Sequence, residues 1–217
     1  MVKHRLRASL VGALVLVVVT FGWWWLRNRT VVSVSIAPTE LANWPVIVSD
    51  GSDAWVVGLS PPAPLVAAFT AEAARQAGRR LVAPTRPALP LVLRAEFEDA
   101  LQGVYGTDSV VRMAHDAGID ASPFQPVCLA HRVRDEPGGR ADIYFVPFES
   151  PTFQQLRADL TPTEPEHAGI GVYDPALLSP ILIVGASDAN LDRWWPLSFD
   201  GATDCVANLV TSAPTQN

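Results

Sequence analysis

The chain has 217 residues, 16 of them basic and 22 acidic, and a formal net charge of −6 at neutral pH. The charges are unevenly distributed, since residues 31–217 carry eleven arginines against 22 carboxylates, a net charge of −11. A surface of this sign repels phosphate backbones. The composition therefore argues against a nucleic-acid partner.

The first feature in chain order is an uncharged apolar run over residues 8–26. In a helix this run rises about 28 Å, close to the ~30 Å hydrocarbon core of a bilayer, so it predicts one transmembrane helix. Tryptophans occupy positions 23–25, and indoles favour the headgroup level. The basic residues before the run outnumber those after it, which predicts that residues 1–7 are cytoplasmic. The flanking basic residues are Lys3, Arg5, Arg7, Arg27 and Arg29.

A cleaved signal peptide is the alternative interpretation, because a basic start followed by an apolar stretch is typical of export signals too. The bulky tryptophans argue against it, and the nearest small-x-small site, residues 35–37, is followed by Pro38. The sequence thus predicts an uncleaved single-pass anchor in the inner membrane of a bacterium, with the lipid bilayer contacting residues 8–26. Residues 27–217 are expected to form one domain outside the cytoplasm.

The first half of that domain alternates strand and helix signals. A strand is predicted at 31–36, and runs at 45–49 and 54–59 predict a hairpin because Asp-Gly-Ser-Asp lies between them. Ser60 is expected to cap a helix that ends at Gly78. The next predicted elements are a strand at 89–95 and helices at 96–103 and 108–117.

The second half repeats the order of a hairpin followed by a serine-capped helix. Ser150 and Ser187 are the expected caps. The predicted strands are 126–133, 141–146, 170–173 and 180–184. Shared capping chemistry explains this recurrence better than duplication does. The pattern predicts an α+β domain with hairpins and helices packed on a mixed or antiparallel sheet.

Cys128 and Cys205 allow two interpretations. In an oxidising compartment they would close a loop of about 77 residues and stabilise the fold. Alternatively, both are buried free thiols. Pairing depends on geometry that the sequence does not supply.

Three residues are weak catalytic candidates: His115, Asp116 and His131. His115 is one residue from Asp116 and five from Asp120, whereas a helical ligand pair is three or four residues apart. A solvated helix end is therefore the favoured interpretation. Cys128 is three residues before His131, an odd spacing that places the two on opposite faces of a strand. No metal-binding or cofactor-binding motif is present, so neither a metal nor a cofactor is predicted.

A basic cluster is the candidate binding site, and its members are Arg75, Arg79, Arg80 and Arg86. The cluster would suit an anionic partner or a bilayer surface. The alternative is that the first two complement a helix C-terminus. For Trp194 and Trp195 the ordinary arrangement is one ring in the core and the other at the rim.

The favoured hypothesis is a single-pass envelope protein whose exported domain binds or scaffolds other envelope proteins. A membrane-tethered periplasmic hydrolase is the second hypothesis, and it would be favoured if a histidine met carboxylates or a serine in a pocket. An immunity or inhibitor protein is the third.

Overall fold

The structure is a computed structural model that describes residues 34, 36–136, 139–162 and 173–210. These residues belong to one compact unit, Ser33–Asn217. The apolar run at 8–26 lies outside the described residues, as does most of the strand predicted at 170–173. Among the residues described, none of the helices combines the length and the apolar character that crossing a membrane requires.

In the described residues, two antiparallel sheets and four α-helices give the α+β fold. The first sheet has the order β1-β2-β3, with strands β1 (Val46–Val48), β2 (Trp55–Leu59) and β3 (Leu89–Leu93). In the second sheet, β6 pairs with β4, β5 and β7, and β5 also pairs with β8. Its strands are β4 (Gln125–Pro126), β5 (Cys128–Glu136), β6 (Gly139–Glu149), β7 (Ile181–Ala186) and β8 (Cys205–Asn208).

The helices lie between and after the strands. A π-helical turn over Phe97–Leu101 directly follows the short helix Arg94–Glu96. They are α1 (Ala63–Ala77), α2 (Arg94–Glu96), α3 (Thr107–Asp116) and α4 (Pro151–Asp159). Short 3-10 turns occupy Pro38–Leu41, Ile119–Ala121 and Asp192–Trp194.

Two of the three predicted hairpins are confirmed, and the third, 170–173 with 180–184, lies partly outside the described residues. Val46 pairs with Leu59 across β1 and β2, and β5 pairs with β6 along a long antiparallel ladder. The strands expected at 89–95 and 180–184 are present as β3 and β7. Of the strand predicted at 31–36, only Val34 and Ile36 are described, and neither is in a strand.

Only one of the three predicted serine caps is confirmed. The Phe153 N–H donates to Ser150 Oγ at 3.3 Å, which caps α4. Ser60 is not a cap: α1 begins at Ala63 after two prolines, because a residue before proline is biased away from the helical conformation. Ser187 is not a cap either, since its Oγ accepts a hydrogen bond from the Asp142 N–H at 2.9 Å.

Aromatic packing joins the two sheets. Trp44, just before β1, stacks on Phe124 with ring centroids 4.6 Å apart. Phe148 of β6 meets Trp44 edge-on at 5.3 Å and Phe69 of α1 at 6.4 Å. All four rings are buried. Edge-to-face and stacked pairs of this kind stabilise the folded state beyond the contribution of burying the rings.

A buried ion pair also crosses between the sheets. Arg157 of α4 and Glu96 of α2 have side chains only 1% and 6% exposed. The guanidinium donates to both carboxylate oxygens, at 2.5 and 3.0 Å. The same carboxylate accepts the Leu93 N–H at 3.0 Å, so it also fixes the end of β3.

The remaining guanidinium donors of Arg157 bind backbone carbonyls. They reach Leu91 of β3 at 3.2 Å, Asp174 at 3.0 Å and Pro175 at 3.3 Å. The Tyr173 ring lies beneath the guanidinium, 4.7 Å from its carbon to the ring centroid. Arg157 therefore connects α4, the first sheet and the segment before β7.

The two cysteines form a disulfide, which resolves the alternatives that the sequence left open. Cys128 of β5 and Cys205 of β8 have their sulfurs 2.06 Å apart, and 77 residues separate them in the chain. The bond ties the edge strand β8 to the second sheet. The described residues contain no free cysteine.

Glu96→Gln is expected to lower the free energy of unfolding by about 3–5 kcal/mol, because it leaves the Arg157 charge buried without its counter-ion. Urea unfolding of the full chain in detergent, followed by tryptophan fluorescence, measures the change. Glu98→Gln, at an exposed i,i+4 pair with Arg94, is the control and should barely move the midpoint. Equal midpoints for the two variants would contradict this role of the ion pair.

Replacing both Cys128 and Cys205 by alanine is expected to cost about 4 kcal/mol, because the disulfide restricts a long loop in the unfolded chain. Urea unfolding of the oxidised protein and of the double variant gives this difference. If maleimide labels both thiols in the natively isolated protein, the assignment of the disulfide is wrong.

Candidate functional site

His131 and Asp142 form the first candidate site. The imidazole Nε2 lies 2.9 Å from Asp142 Oδ1. In the β5–β6 ladder His131 is opposite Tyr144, and Val133 is opposite Asp142, so these side chains share one face of the sheet. The imidazole stacks on the Tyr144 ring with centroids 4.5 Å apart and planes 24° from parallel.

Other charged groups surround the Asp142 carboxylate. Arg79, just after α1, forms an ion pair with it, and Arg140 Nε lies 3.6 Å from it. The His131 and Asp142 side chains are 20% and 13% exposed. Burial, with the Asp142 charge adding to it, raises the pKa of the Tyr144 hydroxyl above its usual value. The phenol is therefore neutral at physiological pH.

A carboxylate can orient an imidazole for general-base catalysis, but a hydrolase also needs a cavity that brings the substrate to that imidazole. Neither of the two cavities described below is lined by His131 or Asp142. The nearby Ser187 hydroxyl accepts the Asp142 backbone N–H. The cluster instead joins the segment after α1 to the second sheet. Cys128 cannot form a dyad with His131, because its sulfur is in the disulfide.

His115 and Asp116 lie at the C-terminal end of α3. His115 Nδ1 is 3.1 Å from Asp120 Oδ2, and half of the His115 side chain is exposed. Asp116 is exposed as well. No hydrogen bond or ion pair among the described residues connects this helix end to His131, so the three catalytic candidates are not brought into one site.

Three of the four clustered arginines have carboxylate partners. Arg75 binds Glu72 through two hydrogen bonds, Arg79 pairs with Asp142, and Arg86 lies 3.2 Å from two aspartates of the β1–β2 turn. Two of these partnerships join residues far apart in the sequence, which local charge counting does not reveal. Arg80 is exposed and has no ion-pair partner within the described part of the chain.

Arg80 lies at an apolar groove along α1, the α1 groove, with a volume of about 670 Å³. Helix α1 contributes Ala63, Ala67 and Ala71, which are all exposed and follow one another at four-residue intervals. Pro61, just before the helix, and Leu81, Ala83 and Pro87, after it, also line the groove. Open grooves lined mainly by apolar side chains are one of the forms that binding sites take.

No group of three or more metal-ligating side chains comes together in residues 34–210 as far as they are described. Comparison of the chain with protein-family models, with curated proteins and with solved structures finds no match. The class of protein that the fold defines is an α+β domain with one disulfide.

The partners of His131 could have been found from the sequence. Glu136 pairs with Gly139, and counting outward from that point places His131 opposite Tyr144. The signal was the glycine-containing turn between two strand-like runs, which sets the register of a hairpin. The pairing of Arg79 with Asp142 gave no such signal, because Arg79 lies just after α1 and outside this hairpin.

Asp142→Asn is expected to lower the free energy of unfolding by about 1–2 kcal/mol, because it weakens the hydrogen bonds to His131 and Arg79. Urea unfolding measures this change, with the exposed Asp116→Asn as the matched control. A variant as stable as the control would show that the cluster does not support the fold.

Proposed function

We propose that the chain is a single-pass envelope protein whose domain outside the cytoplasm binds other envelope proteins through the α1 groove. Residues 8–26 would anchor it in the inner membrane, and residues 27–217 would carry the binding domain. The α1 groove is the observation that carries the proposal. It is open, apolar and lined by exposed alanines.

The disulfide supports a location outside the cytoplasm. Disulfides form and persist in oxidising compartments and are rare in the bacterial cytosol. The basic flank before the apolar run supports the same orientation. These two observations are independent, since one concerns the anchor and the other the domain.

The α1 groove suits an apolar helix or strand of a partner protein. Exposed alanines at 63, 67 and 71 let a second backbone approach α1 closely, because they have no bulk beyond Cβ. Arg80 supplies a positive charge at the same surface within an acidic domain. A partner segment that is apolar and carries a carboxylate facing Arg80 fits both features.

A tethered hydrolase is the second candidate, and the His131–Asp142 hydrogen bond is the observation that favours it. The sharing of Asp142 with Arg79 and the position of the pair outside both cavities favour a binding protein instead. An immunity or inhibitor protein would be a special case of the binding hypothesis, with a toxin or an enzyme as the partner.

A photo-crosslinking amino acid at Ala67 of the full-length protein in intact cells is expected to give covalent adducts of higher mass. The same amino acid at Ala158, an exposed position on α4, is the control and should give none. Ala71→Glu should weaken capture of the same partner about tenfold, because it places a charge in an apolar interface.

Ala158→Glu is the matched control for that substitution and should leave capture unchanged. Adducts of equal yield at positions 67 and 158, or a protein that stays solitary in membrane extracts and forms no adduct, would refute the proposal.

A further inference from the structure

A second cavity, the inter-sheet cleft, lies between loops of the two sheets and has a volume of about 370 Å³. The first sheet contributes the β1–β2 turn and the segment before β3, and the second contributes the segment after β7. The side chains that matter for its chemistry are Asp53, Trp55, Arg86, Asn190, Asp192 and Trp195. None of them lines the α1 groove or belongs to the His131 cluster.

Two indoles form apolar walls of the cleft. Trp55 is fixed in β2 and is 5% exposed, and the Arg86 guanidinium lies over its ring, 5.6 Å from the centroid. Trp195 packs on the core of the second sheet while part of it stays exposed. Trp194, its neighbour, is fully buried. The rim indole of the pair is therefore the one that the cleft presents.

The Arg86 and Asp53 side chains are held in place around the cleft. Arg86 Nη1 lies 3.2 Å from Asp53 Oδ2, and Arg86 Nη2 donates to the Val48 carbonyl at 3.2 Å. Asp53 also accepts a hydrogen bond from Ser49 Oγ at 2.9 Å. Preorganised polar groups cost less conformational entropy when a ligand binds.

Across the cleft, Asn190 and Asp192 line the opposite part of the rim, and Thr85 lies beside Arg86 on the first-sheet side. All three residues are exposed, and within the described ranges their side chains have no hydrogen-bond partner. They therefore leave donors and acceptors available: an amide that does both, a carboxylate that accepts, and a hydroxyl that does both.

The charges of the cleft select the class of ligand. Asp53 and Asp192 disfavour an anion, while the Arg86 guanidinium disfavours a cation that would lie against Trp55. A neutral ring with several hydroxyls fits, because its hydroxyls can donate to carboxylates and accept from the amide and the guanidinium. Its C–H face can pack on an indole.

We propose that the inter-sheet cleft is a saccharide-binding site, with Trp195 as the stacking platform and Asn190 and Asp192 as hydrogen-bonding partners of the sugar hydroxyls. The volume lies at the lower end of the range of about 300–1,000 Å³ that small-ligand sites occupy. The cleft therefore suits the end of a short oligosaccharide. This site stands apart from the protein-binding face at the α1 groove.

Calorimetric titration of the full chain, purified in a detergent without a sugar headgroup, tests the proposal. The probes are two neutral tetrasaccharides, chitotetraose and cellotetraose, with tetralysine as a cationic comparison. At least one saccharide should bind saturably. Asn190→Ala and Asp192→Asn should each weaken that binding about tenfold, since each removes hydrogen bonds to the ligand.

Asp116→Asn is the control for charge and should not change the affinity, and Ala71→Glu should not change it either, which separates this site from the α1 groove. Trp195→Ala should abolish binding. Asn190 and Asp192 are exposed, so their variants remain informative if the tryptophan variant misfolds. The proposal is overturned if neither saccharide binds, if both exposed-site variants bind like the wild type, or if tetralysine alone binds.

Discussion

The buried ion pair between Arg157 and Glu96 is the constraint on which the rest of the structure depends. It connects α4, which lies between β6 and β7 in the chain, to the end of the first sheet, and the same guanidinium satisfies carbonyls on both sides. A buried charge pair is costly to desolvate, so its value lies in fixing one geometry in which every donor has a partner. The inter-sheet cleft lies between loops of the same two sheets.

The residues with the most reactive side chains serve the fold, and residues that look structural line the two proposed binding surfaces. His131, Asp142 and Arg79 connect the segment after α1 to the second sheet, next to the backbone pairing of Val82 with Ala186. The cysteines are joined to each other. In contrast, the alanines of α1 and the rim tryptophan of the cleft are accessible. This division is the structural basis of the binding role proposed above.

Local patterns predicted the local structure well. The β1–β2 and β5–β6 hairpins, the Ser150 cap and the helix end at Gly78, which has a positive φ, all follow from neighbouring residues. Ser60 failed as a cap because the two prolines after it delay the helix. The division into two sheets, the Arg157–Glu96 pair and the partners of Arg79 and Arg86 could not be predicted, because each depends on elements brought together only in the folded chain. The inter-sheet cleft could not be predicted either, because segments far apart in the sequence line it.

We expect the Arg157–Glu96 ion pair to make the two sheets one cooperative unit. Native-state hydrogen exchange on the oxidised full chain tests it most directly, by comparing the opening free energies of the amides in the central strands β2 and β6. The account predicts one common value for both strands, because neither sheet opens without breaking the pair. It is contradicted if the amides of β2 exchange through an opening that leaves those of β6 protected.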